Sequence, residues 1–253
     1  MSFCDRRKYF SAPADELRRN IPRWDCHIHT CYGDGVSTIE EVVHRAISIG
    51  LERIVFTEHT EPWLLSRRNW FERYVADIRA AKERYTGQIE IFIGLEAPAT
   101  DFGNKLGLIP EMLESADFIV GSAHRYPGLK GRKVMDLSPE ESIEMEYKTL
   151  MALSENPFID AIGHIGGTCQ KYHQVSLATK EMREVIKTAT GHGIAIEINL
   201  QYHQPFSLII NLCIEEGARI TLGSDAHKAG EVGAIVAALS LFEGFRVSAS
   251  PTF

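Results

Sequence analysis

The feature that most constrains this chain is a sevenfold alternation that starts at Trp24. A short apolar run is followed by a segment of helical period, again and again, with no compositional break. The apolar runs are "RWDCHIH", "LERIVFTEH", "IEIFIGLE", "ADFIVGSAH", "FIDAIGH", "GIAIEIN" and "ARITLGSDAH". Such continuous Ile, Val and Phe fits parallel strands buried on both faces. The intervening segments carry helix signals. "STIEEVVHRAISIG" has Ser37 or Thr38 to cap it, Glu40 and Glu41 in its first turn, and Gly50 to stop it. "SPEESIEMEYKTLMALSEN" opens with Ser138 at the cap and Pro139 just inside. "NWFERYVADIRAAKERY", "LIPEMLES", "ATKEMREVIKTATGH", "FSLIINLCIEEG" and "AGEVGAIVAALSLF" complete the set. The predicted fold class is α/β.

The strand ends carry the chemistry. In order they are His27 and His29, Glu58 and His59, Glu96, His124, His164, Asn199, and Asp225 with His227. A lone His at a strand end is ordinarily a satisfied structural residue. Here seven ends are in register, and of the ten histidines only His44, His173, His192 and His203 lie elsewhere. Side chains at i and i+2 of a strand share a face, so His27 and His29 point together. Asp225 and His227 do the same if extended geometry persists that far. In an open sheet of seven strands the edges would lie roughly 29 Å apart, six intervals of ~4.8 Å. Ligands of one ion sit ~2.0–2.2 Å from it. The first and last strands can therefore share a site only if the sheet closes into a barrel, whose C-terminal face is where such enzymes work. One ion cannot use this many ligands, which points to two or three divalent ions. Imidazole and carboxylate suit Zn, Mn or Fe. Ions ~3.5–4 Å apart can hold a hydroxide for attack on phosphorus, and Glu96 has two oxygens with which to bridge them.

The ordered motifs "HIH…GDG", "TEH", "GLE", "GSAH", "IGH", "EIN" and "GSDAH" resemble those of the polymerase-and-histidinol-phosphatase (PHP) family of metal-dependent phosphoesterases. The likeness runs from Asp25 to about Gly233. "ARITLGSDAHKAGEVG" resembles the small stand-alone phosphatases of the family, histidinol phosphatase among them. The resemblance implies a distorted (β/α)7 TIM-like barrel with the active site at the C-terminal ends of the strands, and a trinuclear centre. It implies that His27, His29, Glu96 and Asp225 hold one ion. Glu96, His124 and His164 would hold a second, and Asp34, His59 and His227 a third. Glu58 stands where family members often have Asp, and is expected to serve a structural role beside a ligand. "LQYHQPF" after Asn199 departs from the Thr-Ser-Gly type of stretch associated with histidinol phosphatases, so the substrate is not fixed by the likeness.

Other residues carry a functional and a structural reading side by side. Arg125 and Lys228 each follow an expected ligand; they are read as substrate-phosphate contacts or as loop cations. Lys130, Arg132 and Lys133, and separately Arg67 and Arg68, are a cationic rim or solvated charge. His203 is a candidate for protonating the leaving oxygen. Asn199 is expected to hydrogen-bond substrate or orient a neighbour. Trp24, Trp63 and Trp70 are core packing or a stacking wall, and Cys26 and Cys31 are ordinary thiols or metal ligands.

Composition sets the remaining bounds. The net charge of −7 argues against a dedicated nucleic-acid binder. The opening residues mix both charges and do not read as a signal peptide, and no apolar run approaches the ~18 residues of a membrane span. Five scattered cysteines argue for a reducing, cytoplasmic setting. Residues 1–22 are expected to be an N-terminal appendage packing on a single barrel domain, 23–253. The expected partner is a small phosphorylated substrate, hydrolysed as a phosphomonoester; monomer and oligomer both remain open. Two other readings stand beside it: a phosphodiesterase or nuclease, and a non-catalytic metal-binding regulatory module.

Overall fold

A computed structural model describes residues 3–60, 69–103 and 105–242. Its sheet has eight strands: β1 (Ala12–Pro13), β2 (Trp24–Ile28), β3 (Arg53–His59), β4 (Glu90–Pro98), β5 (Phe118–Ser122), β6 (Ala161–Ile162), β7 (Ala195–Asn199) and β8 (Arg219–Gly223). The last seven fall on the seven predicted runs. β1 has no counterpart in the sequence reading. The spatial order is β1-β8-β7-β6-β5-β4-β3-β2, with β2 to β8 parallel and β1 antiparallel to β8.

The sheet curls until its ends meet. Ile28 bridges Ala226 in parallel; the His29 N–H donates to the Ala226 carbonyl (2.8 Å) and the Ala226 N–H to the His27 carbonyl (3.3 Å). Asp25 fastens this seam from beneath. Its carboxylate, fully buried, accepts the N–H groups of Ser224 (3.0 Å) and Gly233 (2.8 Å). Among the described residues the strand pairing at this seam is confined to this short contact, hence a distorted barrel.

The described helices are α1 (Phe3–Tyr9), α2 (Ile39–Ser48), α3 (Trp70–Arg84), α4 (Pro110–Ser115), α5 (Pro139–Ser154), α6 (Gly167–His173), α7 (Thr179–Gly191), α8 (Ser207–Glu215) and α9 (Ala234–Ser240). Thr38, rather than Ser37, caps α2 in a reciprocal capping box with Glu41, and Ser138 does the same for α5 with Glu141. The segment predicted as the last helix is divided. A short 3-10 turn, Ala229–Glu231, precedes α9, and Gly233 between them has φ +74°, which a side chain would resist. The outer faces of the strands (Ile54, Phe56, Ile91, Leu95, Ile196, Leu222) and the inner faces of the helices (Val42, Tyr74, Ile78, Leu150, Ile186) form one apolar core.

The barrel interior has two halves. At the N-terminal ends of the strands Cys26, Val55, Phe118, Val120, Ala161 and Ala195 form a separate apolar cluster, closed by Phe10 from the link between α1 and β1. The Phe10 ring lies 5.0 Å from that of Phe118 and 4.9 Å from that of Phe92. Arg6 pairs with Asp160 (2.8 Å), and Arg7 donates to the carbonyls of Pro157, Ile159 and His192. The N-terminal segment thus adds a strand and stoppers the barrel. The other half of the interior is polar and holds the candidate site.

Candidate metal centre

β2 reaches the site through an irregularity. Its pairing register with β3 shifts between Asp25 and Ile28, so Cys26 faces the interior below while His27 and His29 face it above. Glu96, buried on β4, is the hub. Its Oε1 lies 3.1 Å from His124 Nε2 and 3.0 Å from His164 Nε2, and those nitrogens are 3.1 Å apart. Its Oε2 lies 3.5 Å from His27 Nε2 and 3.6 Å from His29 Nε2, which are also 3.1 Å apart. Asp225 Oδ1 joins that second group, 3.2 Å from His29 Nε2 and 3.6 Å from His27 Nε2. Asp34 Oδ1 lies 3.3 Å from His227 Nε2 and 3.5 Å from His59 Nε2. The nine residues expected as ligands therefore converge in three adjoining groups, with His59 Nδ1 2.8 Å from Glu96 Oε2 where two of them meet.

Asp225 reaches its position by leaving the strand. β8 ends at Gly223 and Asp225 has φ +52°, so extended geometry does not persist to His227 as the i, i+2 argument assumed. A left-handed non-glycine residue is strained, and here it delivers a carboxylate. His227 is held instead by Nδ1 at 2.9 Å from the Asp225 carbonyl oxygen. The "GDG" loop also works differently from a simple flexible turn. Neither Gly33 nor Gly35 has a positive φ; each lacks space for a side chain. A Cβ on Gly33 would come within 2.2 Å of Glu58 Oε2, and one on Gly35 within 2.7 Å of the His29 backbone. Close approach lets Asp34 lie over the site. Glu58 holds the same corner by accepting from the Thr30 N–H (2.6 Å) and hydroxyl, and burial raises its pKa to about 7.

The electrostatics favour a cation. Burial opposes the charge of Glu96, yet the facing imidazoles of His124, His27 and His59 outweigh it and hold its pKa well below the usual range. Asp225 is lowered likewise against burial, chiefly by His27 and His29. Burial, aided by His59, lowers His29 to about 4, so it offers a neutral lone pair. His59 Nδ1 and Glu96 Oε2 are buried without a hydrogen-bond partner among the described residues, although they lie 2.8 Å apart. The short His59–Glu96 approach thus lacks hydrogen-bond geometry. An orphaned nitrogen and an orphaned oxygen at one point fit a divalent ion.

Glu197, which sequence reasoning passed over, organises this set. Its Oε1 lies 2.8 Å from His27 Nδ1, and Oε2 accepts the His164 N–H at 2.6 Å. With Nδ1 so engaged, His27 turns Nε2 to the interior. The signal was present: a Glu inside the apolar run "AIEIN", on the same face as Asn199. A Cβ on Gly223 would come within 1.8 Å of Glu197 Oε1, so β8 must carry glycine there.

One expectation is corrected, that for His203, and for Asn199 and Lys228 the structural one of their two readings holds. His203 accepts the Asn199 N–H at Nδ1 (3.0 Å) and donates from Nε2 to the Ile165 carbonyl (3.1 Å). Burial lowers its pKa to about 4. With both nitrogens engaged by backbone, it braces a turn and delivers no proton. Asn199 is fully buried; it donates to Glu197 Oε1 (3.3 Å) and accepts the Gln201 N–H (2.8 Å), so it orients Glu197 and meets no substrate. Lys228 lies off the cleft and pairs with Glu231 (3.2 Å).

Above the centre opens a cleft of about 600 Å³, lined by Arg125, Lys130, Arg132 and Lys133 and, unanticipated, by Lys171, Tyr172 and Tyr202. Arg132 is tied to Glu141 (3.1 Å) and the Asp136 carbonyl (3.0 Å). Lys171 and Tyr172 lie on α6, a short helix with no sequence signal. Trp24 packs by the apolar stopper and Trp70 in the outer core, while Cys26 and Cys31 join none of the ligand groups. Arg67, Arg68 and Trp63 lie outside the described residues.

Comparison with known proteins agrees with this geometry. The chain is 29% identical over 240 residues to a protein of Deinococcus radiodurans named a probable histidinol-phosphatase, covering 83% of this chain and 88% of that one. It is 27% identical over 228 residues to a probable phosphatase of Thermoanaerobacter sp., covering 87% and 84%. The structure of histidinol phosphate phosphatase from Lactococcus lactis, complexed with zinc, L-histidinol and phosphate, superposes with a TM-score of 0.69 at 23% identity, covering 88% of this chain and 93% of that one. A putative histidinol phosphatase from Listeria monocytogenes gives 0.69 at 18% identity, covering 85% and 99%. These two structures share the fold. The family model described as the PHP domain matches residues 25–201, and the chain belongs to that family.

Proposed function

We propose that this chain is a metal-dependent phosphomonoesterase acting on a small phosphorylated metabolite, a histidinol-phosphate-like compound or a sugar or nucleotide phosphate. The observation that carries the reading is Glu96, whose two oxygens face two different histidine pairs. Two or three divalent ions, Zn, Mn or Fe, would be held by His27, His29, Glu96 and Asp225, by Glu96, His124 and His164, and by Asp34, His59 and His227. When bound, such ions supply Lewis acidity toward phosphoryl oxygens and lower the pKa of an attacking water. Glu197 keeps His27 in the ligating tautomer, and Asp225 stays ionised in a buried setting. Arg125, at the mouth of the cleft beside His124, is suited to steer a phosphate toward the centre. The named relatives support phosphoester hydrolysis. A compact cleft favours a small substrate over a nucleic-acid strand, which would call for a long groove. No described helix is long and apolar enough to cross a membrane. The free thiols Cys26, Cys169 and Cys213, all buried, support a reducing, cytoplasmic setting.

The test is reconstitution with Zn, Mn or Fe and assay against p-nitrophenyl phosphate and a library of phosphorylated metabolites. Hydrolysis is expected, and His27→Ala or Asp225→Ala should abolish it while the circular dichroism spectrum is unchanged. A metal-loaded protein that hydrolyses none of these esters would instead support a non-catalytic regulatory module.

A further inference from the structure

Beyond the ligand groups, the charged lining of the cleft is cationic in a protein whose net charge is −7. Arg125, Lys130, Arg132, Lys133 and Lys171 line it, and outside the candidate metal centre no described lining residue is Asp or Glu. Lys130, Lys133 and Lys171 form no ion pair among the described residues, whereas Arg132 is neutralised by Glu141. The wall is also built rather than loosely draped. His173 on α6 donates from Nε2 to the Val134 carbonyl (3.0 Å), which fastens the Lys133 loop to the helix that carries Lys171. Behind it the buried Glu146 accepts the Tyr126 hydroxyl (3.1 Å) and the N–H groups of Thr168 (3.2 Å) and Cys169 (2.5 Å). Arg132 ties the loop to the start of α5. Exposed lysines on the lining of a cleft of about 600 Å³ that also holds the candidate metal centre have nothing to gain from a substrate that carries one phosphate and an otherwise neutral or cationic body.

We infer that Lys133 and Lys171, with Lys130, form a receptor for a second oxyanion on the substrate, so that the chain prefers a phosphate ester bearing a second anionic group to one that carries the ester phosphate alone or an amine. This rests on the phosphomonoesterase reading of the same site, and places histidinol phosphate, with its ammonium group, among the poorer substrates. The second oxyanion is a phosphate or a carboxylate, and paired substrates separate the two.

The experiment compares kcat/KM of the metal-loaded enzyme for fructose 1,6-bisphosphate, 3-phosphoglycerate, fructose 6-phosphate and histidinol phosphate. Equilibrium binding of the two fructose phosphates to the Asp225→Asn variant gives a readout separate from turnover. The bisphosphate or the phosphoglycerate is expected to exceed fructose 6-phosphate by roughly tenfold, with histidinol phosphate lowest, and the gap to shrink as ionic strength rises. Leadership by the bisphosphate identifies phosphate, and leadership by phosphoglycerate identifies carboxylate. In the Lys133→Gln, Lys171→Gln double variant the preference should vanish through KM. Equal kcat/KM for esters with and without a second anionic group, a preference that survives the double variant, or histidinol phosphate as the best substrate would each overturn the inference. Failure to hydrolyse any ester, with selective bisphosphate binding intact, would overturn the enzymatic reading and leave the oxyanion receptor standing.

Discussion

His27 has two ring nitrogens, and Glu197 determines which of them is left for the interior. Because that pair is fully buried and shares its carboxylate with the His164 N–H, its loss should be felt as metal affinity before it is felt as stability. Glu197→Ala is expected to lower metal affinity and activity by about 10–100-fold, measured by competition with a chelating dye. Gly223→Ala should do the same, because the new methyl would displace Glu197 and press on the Cβ of His27. An unaltered affinity in both variants would remove Glu197 from the account. His203 provides the contrasting case. Its removal leaves buried backbone groups without partners, so His203→Ala should cost roughly 2 kcal/mol in urea unfolding. With a pKa near 4 it is neutral at pH 7, so the basic limb of the pH–rate profile should survive the substitution. Loss of that limb would restore His203 as the leaving-group acid.

At the scale of elements, two departures from regular strand geometry build the centre: the register shift in β2 and the left-handed Asp225 after β8. Both lie at the seam where the sheet closes, and Asp25 holds that seam by satisfying backbone N–H groups of Ser224 and Gly233. Asp25→Ala should therefore cost roughly 3 kcal/mol, at about 1–3 kcal/mol per buried group left unpaired. A change under about 1 kcal/mol in equilibrium unfolding would mean that the seam is closed by other contacts. The strands were legible because burial on both faces leaves an unbroken apolar run, and the helices because Thr38, Ser138 and Pro139 announce their starts. The convergence of His27, Glu96 and Asp225 was legible because ligand-type residues recur at strand ends. β1, only two residues long, and α6, which has Gly166 at its cap and Gly167 as its first residue, carry too little period to be read. Lys171 and Tyr202 escaped for that reason: a cleft wall is set by how loops fold back, and composition does not record it. The left-handed backbone of Asp225 was not legible, because the i, i+2 reading depended on extended geometry that ends at Gly223.

The whole molecule divides its interior between a dry lower half and a charged upper half. The apolar cluster beneath excludes water and gives the ligand-bearing strands a fixed base, and Phe10 seals it although it comes from outside the seven strand–helix units. Phe10→Ala should cost about 3–5 kcal/mol, read from the urea midpoint at unchanged m-value, a larger loss than an appendage merely lying on the surface would cause. The upper half concentrates Asp34, Glu96, Glu197 and Asp225 around six imidazoles, an arrangement that divalent ions would stabilise. Removing metal with a chelator should lower the melting temperature and adding it back should restore it. The most direct measurement of the central claim is metal content per chain by plasma mass spectrometry after reconstitution and desalting. The account predicts two or three ions in the native chain and a loss of at least one in Glu96→Ala; fewer than two in the native chain, or a content indifferent to Glu96, would contradict it.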